Sequence, residues 1–191
     1  MNTQLFEGEL IRLAPIDAER DSETLSKWTH DPEYLRLTDA DPARPLAPSQ
    51  MKKKLEDLAK DTEKEKNRFD FAIRARAGDR LIGLVSLHWI HWTHGIGMMR
   101  LSIGQPDDRG QGYGSEALKL ILRYAFDELN LHRVGAATFE YNAGALRFLE
   151  RAGFVIEVCR RQAINRDGRR WDVLTLGLLR EEWNRSKVQA V

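Results

Sequence analysis

A glycine-rich segment, Pro-Asp-Asp-Arg-Gly-Gln-Gly-Tyr-Gly-Ser-Glu, runs from Pro106 to Glu116 and is the clearest sign of chemistry in the sequence. Gly110, Gly112 and Gly114 lack a Cβ atom, so the backbone can bend there and approach a ligand closely. The apolar periodicity that follows predicts a helix, whose first amides have no acceptor within the helix. Those amides, together with the positive end of the helix dipole, suit the phosphates of a nucleotide.

The glycine segment fits two phosphate-binding patterns. Residues 112–117 match G-x-G-x-x-[GA], the dinucleotide fingerprint, and Glu140 lies roughly where a ribose-binding acid is expected. Residues 109–114 match [QR]-x-x-G-x-[GA], the pyrophosphate loop of acyl-CoA-dependent acyltransferases. A turn that only joins a strand to a helix usually needs one glycine, not three at alternate positions. The surrounding elements must therefore decide between the two patterns.

Hydrophobic periodicity places the glycine segment between a strand and a helix. Strands are predicted over residues 69–77, 81–91 and 96–103, and the third strand leads into the glycine segment. The apolar face of the following helix consists of Leu118, Ile121, Leu122, Ala125, Phe126 and Leu129. Residues 134–141 then read as a buried strand.

The N-terminal part of the chain is less regular. Residues 10–15 are predicted as a strand, and Asp17 can cap the helix that follows it. Residues 31–48 contain four prolines and are predicted as a long irregular loop. Ser49 can then cap a second helix, whose apolar stripe consists of Met51, Leu55 and Leu58.

The C-terminal part separates the two phosphate-binding patterns. Asn142 begins a short helix that Gly153 terminates, and residues 154–164 and 171–179 flank an Asp-Gly hairpin signal. A dinucleotide-binding fold needs several β-α-β units after its glycine turn, whereas here one helix precedes an antiparallel hairpin. The order of elements therefore favours the acyltransferase pattern.

Composition limits the classes of function. The 191 residues are enough for one well-buried domain, predicted over residues 1–191. The formal charge of +1 gives no electrostatic case for nucleic-acid binding, and no segment has the length of a membrane span. Cys159 is the only cysteine and lies in an apolar run, which predicts a small core residue and no intrachain disulfide. The first residues lack a signal-peptide pattern, which predicts a cytoplasmic protein.

In these motifs the chain resembles the GNAT superfamily of acyl-CoA-dependent N-acyltransferases, nearest to ribosomal-protein N-terminal acetyltransferases of the RimJ/RimL type. The resemblance is carried by residues 106–117, by Leu131-His-Arg-Val, by Asn142 leading to Ala152-Gly-Phe, and by a tail that begins at Arg166. It implies an α/β (α+β) fold with a mixed central sheet of about seven strands and helices on both faces. The sheet is expected to splay between the strand before the glycine segment and the strand that ends at Asn142.

The resemblance implies acetyl-CoA as cosubstrate, lying in the gap between the splayed strands. The backbone of Leu101 and Ile103 is matched to the pantetheine arm, as are Asn142 and Phe148. Asn142 also suits a helix N-cap, and Phe148 suits the core. The residues matched to the pyrophosphate are Arg109, Gly110, Gln111, Gly112, Tyr113, Gly114 and Ser115. An alternative for the arginine is a surface salt bridge with one of the two preceding aspartates.

Three positions depart from the family pattern. Where many relatives carry a tyrosine that protonates the departing thiolate, this chain has Leu149, and where some carry a serine it has Ala145. Met98 stands nearest to the usual glutamate, which positions a deprotonating water. The sequence therefore predicts direct attack of a neutral amine on the acetyl carbonyl, with water taking the proton. A backbone N–H of residues 101–103 would stabilise the oxyanion.

Two histidines are the candidates if a side-chain base exists. His91 and His88 lie where the strand is expected to enter the acceptor cleft, and histidine titrates in the useful range. The alternative is an aromatic loop that packs on the acceptor side. A zinc site that adds His94 is disfavoured, because neither a cysteine nor a carboxylate completes the ligand set. No metal is therefore predicted.

Three functions remain open. The leading one is an acetyl-CoA-dependent N-acetyltransferase that acts on a primary amine of a small molecule or a peptide N-terminus through a ternary complex. The alternative is a catalytically weak or inactive module that binds acyl-CoA, suggested by the three departures from the family pattern. An NAD(P)-dependent enzyme is third.

The acceptor and the oligomeric state are not encoded in a motif. Acidic residues such as Asp39 and Asp57 could attract a cationic acceptor, although scattered surface acids are normal. Trp89, Trp92 and Trp183 suit the interface of a homodimer, and core packing explains them equally well.

Overall fold

A seven-stranded mixed sheet organises the part of the chain that the structure describes. This computed structural model describes residues 4–189, apart from the side chains of residues 62, 63, 65 and 186–189. The strands in this range are β1 (Ile11–Ala14), β2 (Phe69–Ala75), β3 (Leu81–His91), β4 (Ile96–Ile103), β5 (Arg133–Phe139), β6 (Val155–Arg166) and β7 (Arg169–Leu179). The helices are α1 (Ala18–Trp28), α2 (Pro32–Thr38), α3 (Pro48–Glu65), α4 (Tyr113–Arg123), α5 (Ala143–Arg151) and α6 (Arg180–Gln189). A π-helical turn, Tyr124–Glu128, continues α4.

The sheet opens between its central strands. Its order is β1-β2-β3-β4-β5-β7-β6, and every neighbouring pair is antiparallel except β4 and β5. These two strands pair in parallel from Ile96 opposite Arg133 to Met99 opposite Ala136, and the pairing ends there. Beyond that point β4 continues to Ile103 with its β5-facing edge unpaired. The splayed sheet implied by the family resemblance is therefore confirmed.

Two buried apolar clusters cover opposite faces of the sheet. Ile73 and Val85 belong to the cluster that includes α4, α5 and α6, whereas Ala72 and Leu84 pack with α1 and α3. Neighbouring residues of a strand point to opposite faces, so the two clusters lie on either side of the sheet. Helices on both faces were predicted, and the structure confirms them.

The N-terminal helices correct two sequence-based predictions. Asp17 caps α1 as predicted, since its carboxylate accepts from the backbone N–H of Glu19 at 2.9 Å. The irregular loop predicted for residues 31–48 was wrong for α2, because Asp31 caps this helix and a proline is tolerated in a first helical turn. The predicted Ser49 cap was also wrong, because α3 already begins at Pro48.

The C-terminal hairpin forms as predicted but exposes one face. Asp167 and Gly168 both have a left-handed φ at the tip, as a tight hairpin turn requires. Strand β6 is the last strand of the sheet, and nearly all its side chains are exposed. The prediction of Cys159 as a core residue was therefore wrong, and its thiol donates to Asp172 at 3.1 Å.

None of the helices in the described range combines the length and the apolar character that crossing a membrane requires.

Candidate active site

The glycine segment joins β4 to α4 at the open end of the splayed strands. Gly110 and Gly112 have φ values of +74° and +88°, the left-handed region that residues with a Cβ atom rarely adopt. Gly112 is the N-cap of α4 and has no side chain to occupy the first amides of the helix. A methyl group on Gly110 would meet no other atom within 4 Å, so this side of the loop is open. The loop thus presents unobstructed backbone to a ligand.

Gly114 contributes space rather than an unusual backbone conformation. It lies inside α4, and a Cβ atom there would come within 3.8 Å of Ile103 and Phe148 and 3.9 Å of Leu101. The three side chains belong to β4 and α5, and all three pack against the main apolar cluster. The structure therefore brings Leu101, Ile103 and Phe148 together beside the glycine segment.

Glu116, which the sequence singled out only as part of the motif, anchors the start of α4. Its carboxylate accepts hydrogen bonds from the backbone N–H groups of Glu9, Leu10 and Ile11, at 2.7, 2.8 and 2.8 Å. Because these donors precede and begin β1, the carboxylate ties the first turns of α4 to the edge of the sheet. No local sequence signal identifies this role, since the partners lie more than one hundred positions apart in the chain.

Two charged residues at the start of the loop, Asp108 and Arg109, have different partners. Asp108 is buried and accepts two hydrogen bonds from Arg80, both at 2.7 Å. Arg109 donates to the Gly104 carbonyl at 3.4 Å, and it forms no ion pair in the described part of the chain. The salt-bridge alternative for this arginine is therefore not what the structure shows.

Asn142 closes the other side of the gap. Its side-chain oxygen accepts from the Ala145 N–H at 3.0 Å, which makes it the N-cap of α5. Its amide nitrogen donates to the Leu37 carbonyl at 3.3 Å, and the Tyr141 hydroxyl donates to the Arg36 carbonyl at 2.6 Å. Both bonds hold α2 against the end of β5. Asn142 therefore links the gap to α2, which lies on the opposite face of the sheet from α5.

A cleft of about 890 Å³ lies between helices α1, α2 and α3 and strands β2, β3 and β4. Its volume is within the range of small-molecule sites. Ser86, Arg100 and Ser102 line its floor on β3 and β4, beside an ion pair between Arg68 and Asp70. Its walls come from α1, α2 and α3 and combine apolar side chains such as Leu25 and Met51 with charged ones such as Lys53 and Asp57. The cleft borders β4 beyond Met99, where the pairing of this strand with β5 has ended.

Tyr34 is a cleft residue that sequence reasoning missed. Its hydroxyl lies 3.1 Å from the Ser102 hydroxyl, and burial raises the pKa of the phenol. The residue stays protonated at neutral pH and can donate a hydrogen bond. The prediction of an irregular loop concealed it, because only helix α2 turns this side chain toward β4.

The candidate histidines differ in environment. His88 is half-buried, and its pKa is lowered to about 4, first by burial and then by the positive charges of Arg68 and Arg100. It is therefore neutral at pH 7, but a base this weak takes a proton from an amine poorly. His91 and His94 are exposed at the end of the β3–β4 hairpin. The described residues contain no group of three or more possible metal ligands of the His, Cys, Asp or Glu types.

The positions that carry acid and base in many relatives are apolar packing positions here. Leu149 is buried in the main cluster, and Ala145 uses its backbone N–H to receive the cap from Asn142. Met98 lies over Gly135 of β5, where any Cβ atom would collide with the methionine sulfur. Met98 therefore packs across the last paired stretch of the two strands.

The predicted interface tryptophans separate into two groups. Trp183 is buried against Phe126, with ring centroids 6.2 Å apart. Trp89 and Trp92 are 69% and 50% exposed. Core packing therefore explains Trp183, whereas the two others belong to the surface.

Residues 11–155 match the family model of the acetyltransferase (GNAT) domain. Over 116 residues the chain is 39% identical to "Probable N-acetyltransferase YjcK" of Bacillus subtilis (strain 168), an alignment that covers 59% of this chain and 60% of that protein. The aligned part of the chain thus spans less than two thirds of this relative's length. Identity to "Uncharacterized N-acetyltransferase p20" of Bacillus licheniformis is 26% over 176 residues, covering 92% and 96% of the two chains.

The fold has solved counterparts. The crystal structure of spermidine N-acetyltransferase from Vibrio cholerae in complex with CoA and spermine matches with a TM-score of 0.77. The match covers 91% of this chain and 98% of that chain at 22% sequence identity. The TM-score and the coverage show a shared fold, and at this identity the likeness is limited to the fold.

Proposed function

The chain belongs to the acetyltransferase (GNAT) domain family, and from this premise we propose that it is an N-acetyltransferase that uses acetyl-CoA as cosubstrate. The acceptor is a primary amine of a small molecule or a peptide N-terminus. The observation that carries the proposal is the gap between β4 and β5, which ends at an open glycine loop and the N-terminus of α4. Within the family, the tail motif that begins at Arg166 favours the RimJ/RimL-like branch.

The residues around the gap fit acetyl-CoA. The unpaired edge of residues 100–103 offers backbone groups to the pantetheine amides, as an added strand would. The open loop at Gly110 and the uncapped amides after Gly112 suit the pyrophosphate. Arg109 and Asn142 flank the two ends of this path. The cosubstrate supplies an activated acetyl group as a thioester.

The chemistry proposed is direct attack of the neutral amine on the acetyl carbonyl. A nitrogen–carbon bond forms, the carbon–sulfur bond breaks, CoA leaves as the thiolate, and the amine proton passes to water. The chain positions the amine in the cleft next to the gap, and such proximity supplies a large part of the rate enhancement. A backbone N–H on the unpaired edge of β4 stabilises the oxyanion.

Water is proposed as the proton acceptor because of the state of the histidines. His88 has a pKa lowered to about 4, and His91 is exposed on the hairpin. A general base usually contributes a factor of about 10² to 10⁴ in rate. We expect the double variant His88→Ala/His91→Ala to keep its rate at saturating substrates within about tenfold. A loss of about a hundredfold or more would instead identify a histidine as the base.

The first experiment is calorimetric titration with acetyl-CoA, with CoA, NADH and NADPH as controls. Binding of acetyl-CoA without binding of a nicotinamide nucleotide supports the proposal, and thiol release with a panel of amines then measures turnover. Binding of NADH or NADPH instead would overturn it.

A non-catalytic acyl-CoA-binding module is the second candidate. The apolar residues Met98, Ala145 and Leu149 at the usual acid and base positions favour it. The two candidates differ in one observable, since a module binds acetyl-CoA but releases no thiol with any amine.

A further inference from the structure

Arg100 is a charged residue that lines the cleft. It follows Met99, the last residue of β4 that pairs with β5, and its side chain lines the cleft floor. In the described part of the chain it makes no hydrogen bond and no ion pair, and the residue is exposed. An unpaired guanidinium in a cleft presents five N–H donors in a plane that matches a carboxylate.

Arg100 acts electrostatically on its neighbours in the cleft. Asp70 lines the same cleft and accepts hydrogen bonds from Arg68 at 2.6 and 2.9 Å. The positive charges of Arg68 and Arg100 both lower the pKa of His88, after the larger effect of burial, and Asp70 opposes them. Arg100 also acts to lower the pKa of Tyr34, against the dominant effect of burial.

Neutral hydrogen-bonding groups surround the same position. Ser86 lies directly opposite Arg100 in the β3–β4 register, and Ser102 follows on the same face of β4. The Tyr34 hydroxyl lies beside Ser102. Three hydroxyls next to an unpaired guanidinium form a set of donors that suits an anion.

Charges of both signs line the cleft. Its acidic residues are Asp39, Asp57, Asp61 and Asp70, and its basic residues are Lys53, Lys54, Arg68 and Arg100. The charges on α3 are exposed, and exposed charges of mixed sign are screened by solvent. The equal numbers of acidic and basic lining residues distinguish this cleft from an acidic one built for a purely cationic acceptor.

We infer that the acceptor is a small amine that carries a carboxylate within a few bonds of its amino group, such as an α-amino acid, and that Arg100 binds this carboxylate. The inference rests on the proposed function, which puts the reacting thioester in the gap beyond Met99. Because Arg100 lies at the start of that gap, the amino group and the carboxylate must be close together. The apolar side chains in the walls of the cleft suit an apolar side chain on the same acceptor.

The test compares acceptors that differ in one group. L-Leucine, L-leucinamide and 3-methylbutylamine share a side chain and an amino group. L-Leucine also carries a carboxylate, L-leucinamide carries a neutral amide in its place, and 3-methylbutylamine carries neither group. The other common L-amino acids and their amides extend the set. Spermidine represents the polyamines. The kcat/KM of each acceptor is measured by thiol release at saturating acetyl-CoA and is expressed per neutral amine, because the amino group of an amide is less basic than that of the amino acid. Calorimetry with acetyl-CoA alone reports cosubstrate binding separately.

Three variants test whether Arg100 causes the preference for acceptors that carry a carboxylate. Arg100→Gln removes the charge, Arg100→Lys keeps the charge without the planar pair of donors, and Lys53→Gln removes another cation of the cleft. We expect the amino acids to exceed their amides by about tenfold or more, since a hydrogen-bonded charge pair is worth that much. Arg100→Gln should abolish this ratio and leave acetyl-CoA affinity unchanged. Arg100→Lys should retain part of the ratio, and Lys53→Gln should retain all of it.

The outcomes separate the inference from the proposed function. The inference alone is overturned if amides or spermidine are the better acceptors, or if Arg100→Gln leaves the ratio intact; in both cases the N-acetyltransferase proposal still stands. If acetyl-CoA binds and no amine turns over, both the inference and the N-acetyltransferase proposal are overturned in favour of a binding module. Failure of the wild-type protein to bind acetyl-CoA would overturn the proposed function itself.

Discussion

The glycine loop allows a matched comparison, because two glycines share a conformation but only one lies in the proposed site. Gly110 and Gly78 both have φ of +74°, and a methyl group on either would meet no atom within 4 Å. Gly78 lies in the turn between β2 and β3, away from the splayed gap. Substituting either by alanine therefore adds the same backbone strain and no collision within the protein.

The strain sets the expected change in stability. A residue with a Cβ atom in the left-handed region costs about 1–2 kcal/mol. For a chain of this size each kcal/mol lowers Tm by about 2–4 °C. We expect Gly110→Ala and Gly78→Ala to lower the free energy of unfolding equally within error, as measured by thermal and urea unfolding in the absence of acetyl-CoA.

The proposed ligand sets the expected difference in binding. In Gly110→Ala the added methyl group occupies open space that the pyrophosphate is proposed to use, so a hydrogen bond to a charged oxygen is lost. Such a bond is worth about 1.5–3 kcal/mol, which corresponds to a loss of about 10- to 150-fold in acetyl-CoA affinity. Calorimetry measures this affinity. Gly78→Ala should bind acetyl-CoA as the wild type does.

Two results would refute this reasoning. If Gly110→Ala binds acetyl-CoA as tightly as the wild type, the phosphates do not lie on this loop. If both variants lose affinity equally, the effect comes from stability and not from contact with the ligand.

Three further predictions follow from burial and charge. Asp21 and Arg74 form an ion pair with side chains 1% and 3% exposed, so Asp21→Ala should lower the free energy of unfolding by about 3–5 kcal/mol. Glu23→Ala, in a solvent-exposed pair on the same helix, should leave it nearly unchanged in the same urea titration. His88 stays neutral down to about pH 4 in the folded chain, whereas the unfolded chain protonates it near pH 6.5. The free energy of unfolding should therefore fall between these pH values as the solution is acidified, and His88→Gln should reduce its dependence on pH. The exposed apolar residues of β6, the last strand of the sheet, predict a homodimer through this strand: light scattering should give twice the 22.0 kDa chain mass for the wild type and the chain mass for Ile156→Lys, and a monomeric wild type would contradict it.

The sequence was informative where structure depends on neighbours along the chain. Left-handed glycines, alternating strands and helix caps are local, so the glycine loop, the Asp17 cap and the final hairpin could be predicted from the residues themselves. The splayed sheet was implied by the family resemblance. Local rules failed where one pattern permits two structures, since a proline after Asp31 suits a loop and a first helical turn equally.

The tertiary structure decided which side chains meet and which charges have a partner. Asn142 meets the Leu37 carbonyl across 105 positions, and Glu116 meets the backbone before β1. The pKa of His88, on β3, is lowered by burial and by the charges of Arg68 and Arg100, which belong to other parts of the chain. Periodicity specifies which face a residue occupies, but electrostatic energy depends on distance in space and on burial. The sequence therefore determined where acetyl-CoA is expected to bind, and only the fold revealed that the Arg100 side chain lines a cleft beside that place.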